Sequence, residues 1–320
     1  MRDRSLQRWA LARLLIVSVL AVGVAGVPGV VTLAAGQATA TSAPKYLLAV
    51  GDSLAAGYQP ADNATLPPID AASGFRDQGY RGSYAAGLAA SRGLSLVDLA
   101  CPGETTASML ATPAQVLCGK LYEAEFGVAS QISAAQSFLS RHRGRVGLVT
   151  LDIGANDLDH CYSKSNVNTG CLESSDVAAV RNLAQILTLL TASVHRYDPG
   201  TRVAGMDYYD PFLGLEFSPG GIKGDELALG SIAATNAFNI ELNATFHKFG
   251  LIAVDVASAF RVNAVTPLVR FDGKTVPEDV AQTCQLTWMC PSVAGRAGDI
   301  HPNSAGYRLI AATFQKRLAS

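Results

Sequence analysis

The run Tyr46-Leu47-Leu48-Ala49-Val50-Gly51-Asp52-Ser53-Leu54-Ala55 (YLLAVGDSLA) decides how this chain is read. An apolar stretch ends on a glycine, a small acid and a hydroxyl. A short continuous apolar run closed by turn residues is the pattern of a strand buried on both faces. The residues after it read as a strand ending where a helix begins. Ser53 then has two readings. It is a helix N-cap, because serine accepts hydrogen bonds from the first free N–H groups of a helix. Or it is a nucleophile, if an imidazole reaches its hydroxyl.

The same alternation continues along the chain. Leu94–Leu99, Val146–Ile153, Thr201–Met206 and Leu251–Val256 read as further strands, the last named being the final one. Helical patterns fill the gaps at Tyr84–Arg92, Gln131–Arg141, Val177–His195 and Asp225–Phe249, and Ala305–Leu318 closes the chain. Within Gln131–Arg141 the apolar residues Ile132, Ala135 and Leu139 fall at helical spacing. Five strands separated by helices predict one α/β domain with a mostly parallel sheet and helices on both faces. Loop-rich stretches are expected at 59–79, 158–175 and 261–300. In such sheets functional residues gather at the carboxyl ends of the strands.

The bulk properties narrow the class. The chain has 320 residues, 49% hydrophobic and 16% charged, enough for one substantial core. A net charge of −1 argues against nucleic-acid binding, which needs a basic patch. Residues 1–40 read as an export signal. Arg2, Arg4, Arg8 and Arg13 precede an apolar run, and Ala38-Thr39-Ala40 has the small-x-small form of a cleavage site. The run is also long enough to stay as an uncleaved anchor. Residues 41–320 are then the single domain. Without residues 1–40, which hold four Arg and one Asp, the 25 basic and 26 acidic residues fall to 21 and 25, a net charge of −4.

Six cysteines lie in that domain: Cys101, Cys118, Cys161, Cys171, Cys284 and Cys290. An even count in an exported chain predicts three disulfides. Proximity favours 101–118, 161–171 and 284–290, although six cysteines permit about fifteen pairings. A metal site is not expected, since no CxxC pair occurs and no His stands at ligand spacing along the chain.

Four polar segments fall past the predicted strands or before the last helix. They are Ser53, Gly103 in Cys101-Pro102-Gly103-Glu104, Asn156 in Gly154-Ala155-Asn156-Asp157, and His301 in Gly298-Asp299-Ile300-His301. Their chemistry is complementary. An imidazole takes the serine proton, and the Ser53 N–H, Gly103 N–H and Asn156 amide supply donors to an oxyanion. A glycine at 103 would let backbone approach a substrate closely. Asp52 and Asp157 are read as loop-shaping side chains that bond nearby backbone. His142, His195 and His247 fall toward the ends of helical patterns, and His160, near the end of the third strand, is the rival base.

These segments, in this order, resemble the GDSL, or SGNH, hydrolase family over nearly all of residues 41–320. Gly51-Asp52-Ser53-Leu54 matches its first block, Gly103 its second, Gly154-Ala155-Asn156-Asp157 its third and Asp299–His301 its fifth. The resemblance implies a three-layer, flavodoxin-like α/β/α sandwich with a five-stranded sheet. It implies Ser53 as nucleophile, His301 as base and the three oxyanion donors above, with no metal and no cofactor. It points to the secreted lipase and esterase branch found in actinobacteria, where paired cysteines near the active-site loops are typical. One departure stands out. The family places an Asp three residues before the His. Here that position is Gly298 and the acid is Asp299, two before. Either Asp299 or a backbone carbonyl such as that of Gly298 orients the ring.

The expected activity is hydrolysis of carboxylic esters of lipids or small molecules by an exported monomer, at the membrane surface or cell wall and with no nucleic acid. Phe75, Tyr80, Phe260, Phe271 and Trp288 are available to line its pockets or to pack its loops. Two other readings remain. One is a carbohydrate acetylesterase or acyltransferase using the same site. The other is a catalytically silent cell-surface binding protein, which the missing aspartate at 298 favours.

Overall fold

Five parallel strands in the order β2-β1-β3-β6-β7 form the central sheet. The computed structural model describes residues 45–58, 82–163, 166–217, 222–290 and 298–320. The export-signal reading of residues 1–40 and the 59–79 loop, with Phe75 and Tyr80, lie outside them.

In chain order the elements begin β1 (Tyr46–Gly51), α1 (Tyr84–Ser91), β2 (Ser95–Asp98), α2 (Thr106–Leu110), α3 (Val116–Phe126) and α4 (Gln131–Arg141). Then come β3 (Val146–Asp152), α5 (Ala155–Asp159), β4 (Tyr162–Ser163), β5 (Asn166–Val167), α6 (Thr169–Tyr197) and β6 (Arg202–Met206). A 3-10 helix (Pro211–Phe217) precedes α7 (Ile222–Lys248), β7 (Ile252–Val254), α8 (Val256–Ala259), β8 (Leu268–Phe271) and β9 (Lys274–Pro277). The chain closes with α9 (Glu278–Leu286), β10 (Thr287–Trp288), β11 (Asp299–Pro302) and α10 (Ser304–Ala319).

The five strands foreseen from apolar runs are the five strands of this sheet. They are buried because helices cover both faces. Leu47, Leu48, Ala49 and Val50 of β1 are all but inaccessible, as are Leu151 of β3 and Met206 of β6. One face packs α4 against α6, where Ile132, Ala135, Leu183, Ile186, Leu187 and Leu190 are buried. The other packs α1 against α10, where Tyr84 stacks on Phe314 with ring centroids 5.0 Å apart. This is the three-layer α/β/α sandwich.

The strand order reverses direction between β1 and β3, which leaves a crevice at their carboxyl ends. That crevice is where Ser53 and Asn156 emerge.

Several expectations need correction. No regular helix follows Ser53. The chain makes a tight turn instead, with Ala56 N–H donating to Asp52 O at 3.1 Å and Tyr58 N–H to Ser53 O at 2.9 Å. α6 starts at Thr169 rather than near Val177, because the Asn168 side chain caps it by accepting from Cys171 N–H. The stretches read as loop-rich hold the β4–β5 and β8–β9 hairpins and α9. Leu251–Val256 contains the last strand of the central sheet, but four short strands follow outside it. α2 and α3 were not foreseen, since α2 has only five residues and α3 lacks a clear apolar stripe.

Candidate active site

β1, β3 and β6 deliver the site from their carboxyl ends. Gly51 is in register with Asp152 across β1 and β3. The approach is so close that a Cβ on Gly51 would lie 2.5 Å from Asp152 Oδ1, which only glycine avoids. Gln131, the first residue of α4, pins the same strand end. Its Oε1 accepts from Gly51 N–H at 2.6 Å and its Nε2 donates to Gly51 O at 3.0 Å.

Beneath the Ser53 turn lie two buried acids. Asp52 Oδ1 accepts from Leu54 N–H at 2.9 Å, the local bond expected of it, and Oδ2 accepts from Tyr208 Oη at 3.1 Å. Asp152 Oδ2 accepts from Ala55 N–H at 3.0 Å and Oδ1 from the Tyr84 hydroxyl. Burial raises the pKa of both carboxyls. Asp152 is raised further by the charge of Asp52. Asp152, Tyr84, Gln131 and Tyr208 were not anticipated, because nothing local in the sequence links residues so far apart.

Ser53 is nearly buried, and its Oγ lies 2.8 Å from His301 Nε2. His301 Nδ1 lies 2.7 Å from Asp299 Oδ1. The same oxygen accepts from His301 N–H at 2.9 Å. That shared acceptor explains how an acid only two residues before the histidine reaches its ring. A tight turn folds the carboxylate back onto both donors. With Nδ1 protonated, Nε2 is free to accept from serine. Ser53 is therefore bonded as a hydroxyl facing a base, while Asp52 braces the turn through Leu54 N–H.

The histidine segment is held from three directions. Tyr209 Oη donates to Ile300 O at 2.7 Å. Asn303 caps α10 by accepting from Ala305 and Gly306 N–H, and its Nδ2 donates to Gln285 O at 2.8 Å. The Tyr58 ring sits 4.3 Å from the imidazole, centroid to centroid.

α5 carries Asn156, whose Nδ2 donates to Glu104 O at 2.9 Å. Asp157 accepts from Thr106 N–H at 2.8 Å and Thr106 Oγ1 at 2.6 Å. Adjacent residues thus lock α5 to the loop carrying Gly103. Gly103 has φ +80°, a left-handed conformation that explains the glycine better than crowding does, since a Cβ there would meet only ordinary contacts. The Ser53 and Gly103 N–H groups have no hydrogen-bond partner among the described residues. Next to Gly103, Glu104 is fully buried and accepts from Ala114 N–H at 3.3 Å, and burial raises its carboxyl to about 7.

Disulfides join Cys101 to Cys118, Cys161 to Cys171 and Cys284 to Cys290. His160 stands against the second of these, its Nε2 3.4 Å from Cys171 Sγ, and makes no bond to Ser53. The three ligand atoms of His160, Cys161 and Cys171 fall within 4.8 Å of one another, which spacing along the chain did not foresee, with both sulfurs in a disulfide. His142 caps α4, and His195 and His247 lie in the last turns of α6 and α7.

Over Ser53 and His301 opens a cleft with about 700 Å³ of empty volume, part of it open to solvent. Its walls include Leu158, Tyr208, Tyr209, Phe212, Phe238 and Ile300. None of Phe260, Phe271 and Trp288 lines it. Phe260 is buried behind Tyr209 at 4.4 Å, Phe271 packs on Phe217, and Trp288 pairs with Asp299 between β10 and β11. The signal for the true lining was Asp207-Tyr208-Tyr209-Asp210, directly past a predicted strand.

The sheet order and the meeting of Ser53, Asn156 and His301 at its switch point define the SGNH class of hydrolase. The chain belongs to the GDSL-like lipase/acylhydrolase family, whose model matches residues 49–309. Among solved structures it is similar to an extracellular lipase from Streptomyces rimosus, with TM-score 0.55 and 17% identity, covering 85% of this chain and 99% of that one. A phospholipase A1 from Streptomyces albidoflavus matches with TM-score 0.49 and 17% identity over 86% of this chain and 100% of that one. At such identity the first likeness shows the fold. A search of curated proteins found no match.

Proposed function

We propose that this chain is an exported serine ester hydrolase that cleaves carboxylic esters of lipids through an acyl-enzyme on Ser53. The observation that carries the reading is the continuous relay Asp299–His301–Ser53, with spacings of 2.7 and 2.8 Å. Ser53 Oγ attacks the ester carbonyl as His301 Nε2 takes its proton. Asp299 holds the imidazole in the accepting tautomer and stabilises the imidazolium that forms. The tetrahedral oxyanion sits among the Ser53 N–H, the Gly103 N–H and the Asn156 amide. The bond from Asn156 to Glu104 O leaves its second amide hydrogen for this task. His301 then protonates the leaving alcohol. Water, deprotonated by His301, releases the acid.

The apolar and aromatic walls of the cleft favour an acyl chain over a sugar. Three disulfides and the basic-apolar start of the chain support export, with residues 1–40 as the signal and 41–320 as the hydrolase domain of a monomer. The cysteine pairs beside each site loop support a place in the secreted actinobacterial branch.

A fluorophosphonate probe should label the wild type and fail to label Ser53→Ala. A panel of p-nitrophenyl esters from acetyl to palmitoyl should be cleaved best beyond acetyl. A folded wild type that takes no label would favour the binding-protein reading. Labelling with activity confined to acetyl esters would favour the carbohydrate esterase.

A further inference from the structure

The cleft has one charged side chain that the acyl chemistry leaves unused. Asp159, the last residue of α5, lines it together with His301 and Ile300. The other acids nearby are engaged, Asp52 by Leu54 N–H and Tyr208, Asp299 by His301. The Asp159 carboxylate has no hydrogen bond or ion pair among the described residues. No Lys or Arg lines the cleft among those residues either. A negative charge therefore lines an aromatic-walled cleft without a protein cation to balance it. Partial burial raises the Asp159 carboxyl, and the imidazoles of His301 and His160 act in the opposite direction.

The cleft that Asp159 shares with His301, together with the effect of that imidazole on it, points to the part of the substrate Asp159 meets. His301 delivers its proton to the leaving alkoxide, so the alcohol part of an ester lies over His301. Resting on the ester-hydrolase reading above, we propose that Asp159 selects esters whose alcohol part carries a cationic, ammonium-type group. A cation in this cleft meets a partly desolvated carboxylate and aromatic walls, both of which favour it. A neutral polyol would hydrogen-bond the carboxylate but leave its charge uncompensated. An anionic alcohol part would be repelled.

The test uses butyrylcholine, its neutral isostere 3,3-dimethylbutyl butyrate, and monobutyrin, with wild type, Asp159→Asn and Asp159→Lys. The wild type should prefer the cationic ester to its isostere in kcat/KM. Asp159→Asn should cut that ratio about two- to fivefold, the range expected for a partly exposed ion pair. Raising the salt concentration should shrink the wild-type ratio as well. Asp159→Lys should invert the preference. A ratio equal in wild type and Asp159→Asn overturns the proposal. So does an Asp159→Asn effect as large on monobutyrin as on butyrylcholine, which would make Asp159 a hydroxyl acceptor. Cleavage of the neutral ester without cationic preference defeats this proposal alone. Cleavage of none of the three, with Ser53 unlabelled by fluorophosphonate, defeats the ester reading and this proposal together.

Discussion

Asn156 shows how one side chain is prepared by another that never meets the substrate. Its amide is fixed by the Glu104 carbonyl, and the loop bearing that carbonyl is fixed in turn by Asp157. In the oxyanion role proposed for Asn156, a donor held this way needs no reorganisation when charge develops, and loss of one such donor costs roughly 10²–10³ in kcat. Asn156→Ala should show that loss with KM and melting temperature nearly unchanged. A near-normal kcat in the folded variant would remove Asn156 from the role. Ser53, Gly103, Asn156 and His301 were legible because each sits in a short recognisable segment. Asp299 stayed open because its usefulness depends on a turn. Only the folded backbone puts one carboxylate oxygen 2.7 Å from the ring and 2.9 Å from the backbone N–H of the same histidine.

Among the elements, the disulfides do the work of tethering. Cys101–Cys118 ties the loop that presents Gly103 to α3, and the two cysteines are 17 residues apart. Closing a loop of that length restricts the unfolded chain by about 3 kcal/mol. The double variant Cys101→Ala/Cys118→Ala should lose about 2–4 kcal/mol in urea unfolding. Because Gly103 then moves more freely, kcat should fall as well. Unchanged kcat with lowered stability would mean the bridge braces the fold and not the site. Helix and strand existence were readable from periodicity, whereas boundaries were not. α6 begins early because a single asparagine caps it, and the Ser53 segment stops at one turn because Gly57 takes a left-handed φ of +71° and Tyr58 N–H returns to Ser53 O.

For the whole molecule, buried acids set the response to pH. Asp52, Asp152, Asp210 and Glu104 all have carboxyls raised by burial, Asp210 and Glu104 to about 7. A raised carboxyl binds its proton more tightly in the folded state than in the unfolded chain. Its stabilising contribution is complete below the unfolded value and is lost as pH climbs through the folded value. Glu104 alone, rising from 4.5 to about 7, should cost the fold roughly 2 kcal/mol between pH 5 and pH 8. Glu104→Gln keeps an acceptor for Ala114 N–H and cannot ionise, so its stability should fall less over that interval. Chemical denaturation at both pH values measures the difference. Equal slopes in the two proteins would mean that Glu104 does not titrate there.

By itself the amino-acid sequence determined the layers, the five core strands and the four segments that meet at the site. Those depend on local patterns: apolar runs, helical spacing, and turn residues at strand ends. The tertiary structure decided what joins them. Strand order places Ser53 beside Asn156, Tyr208 reaches Asp52, Gln131 clamps Gly51, and an unpaired Asp159 comes to line the same cleft as His301. Each of these depends on contacts between residues distant in the chain, and no local pattern encodes a partner that far away.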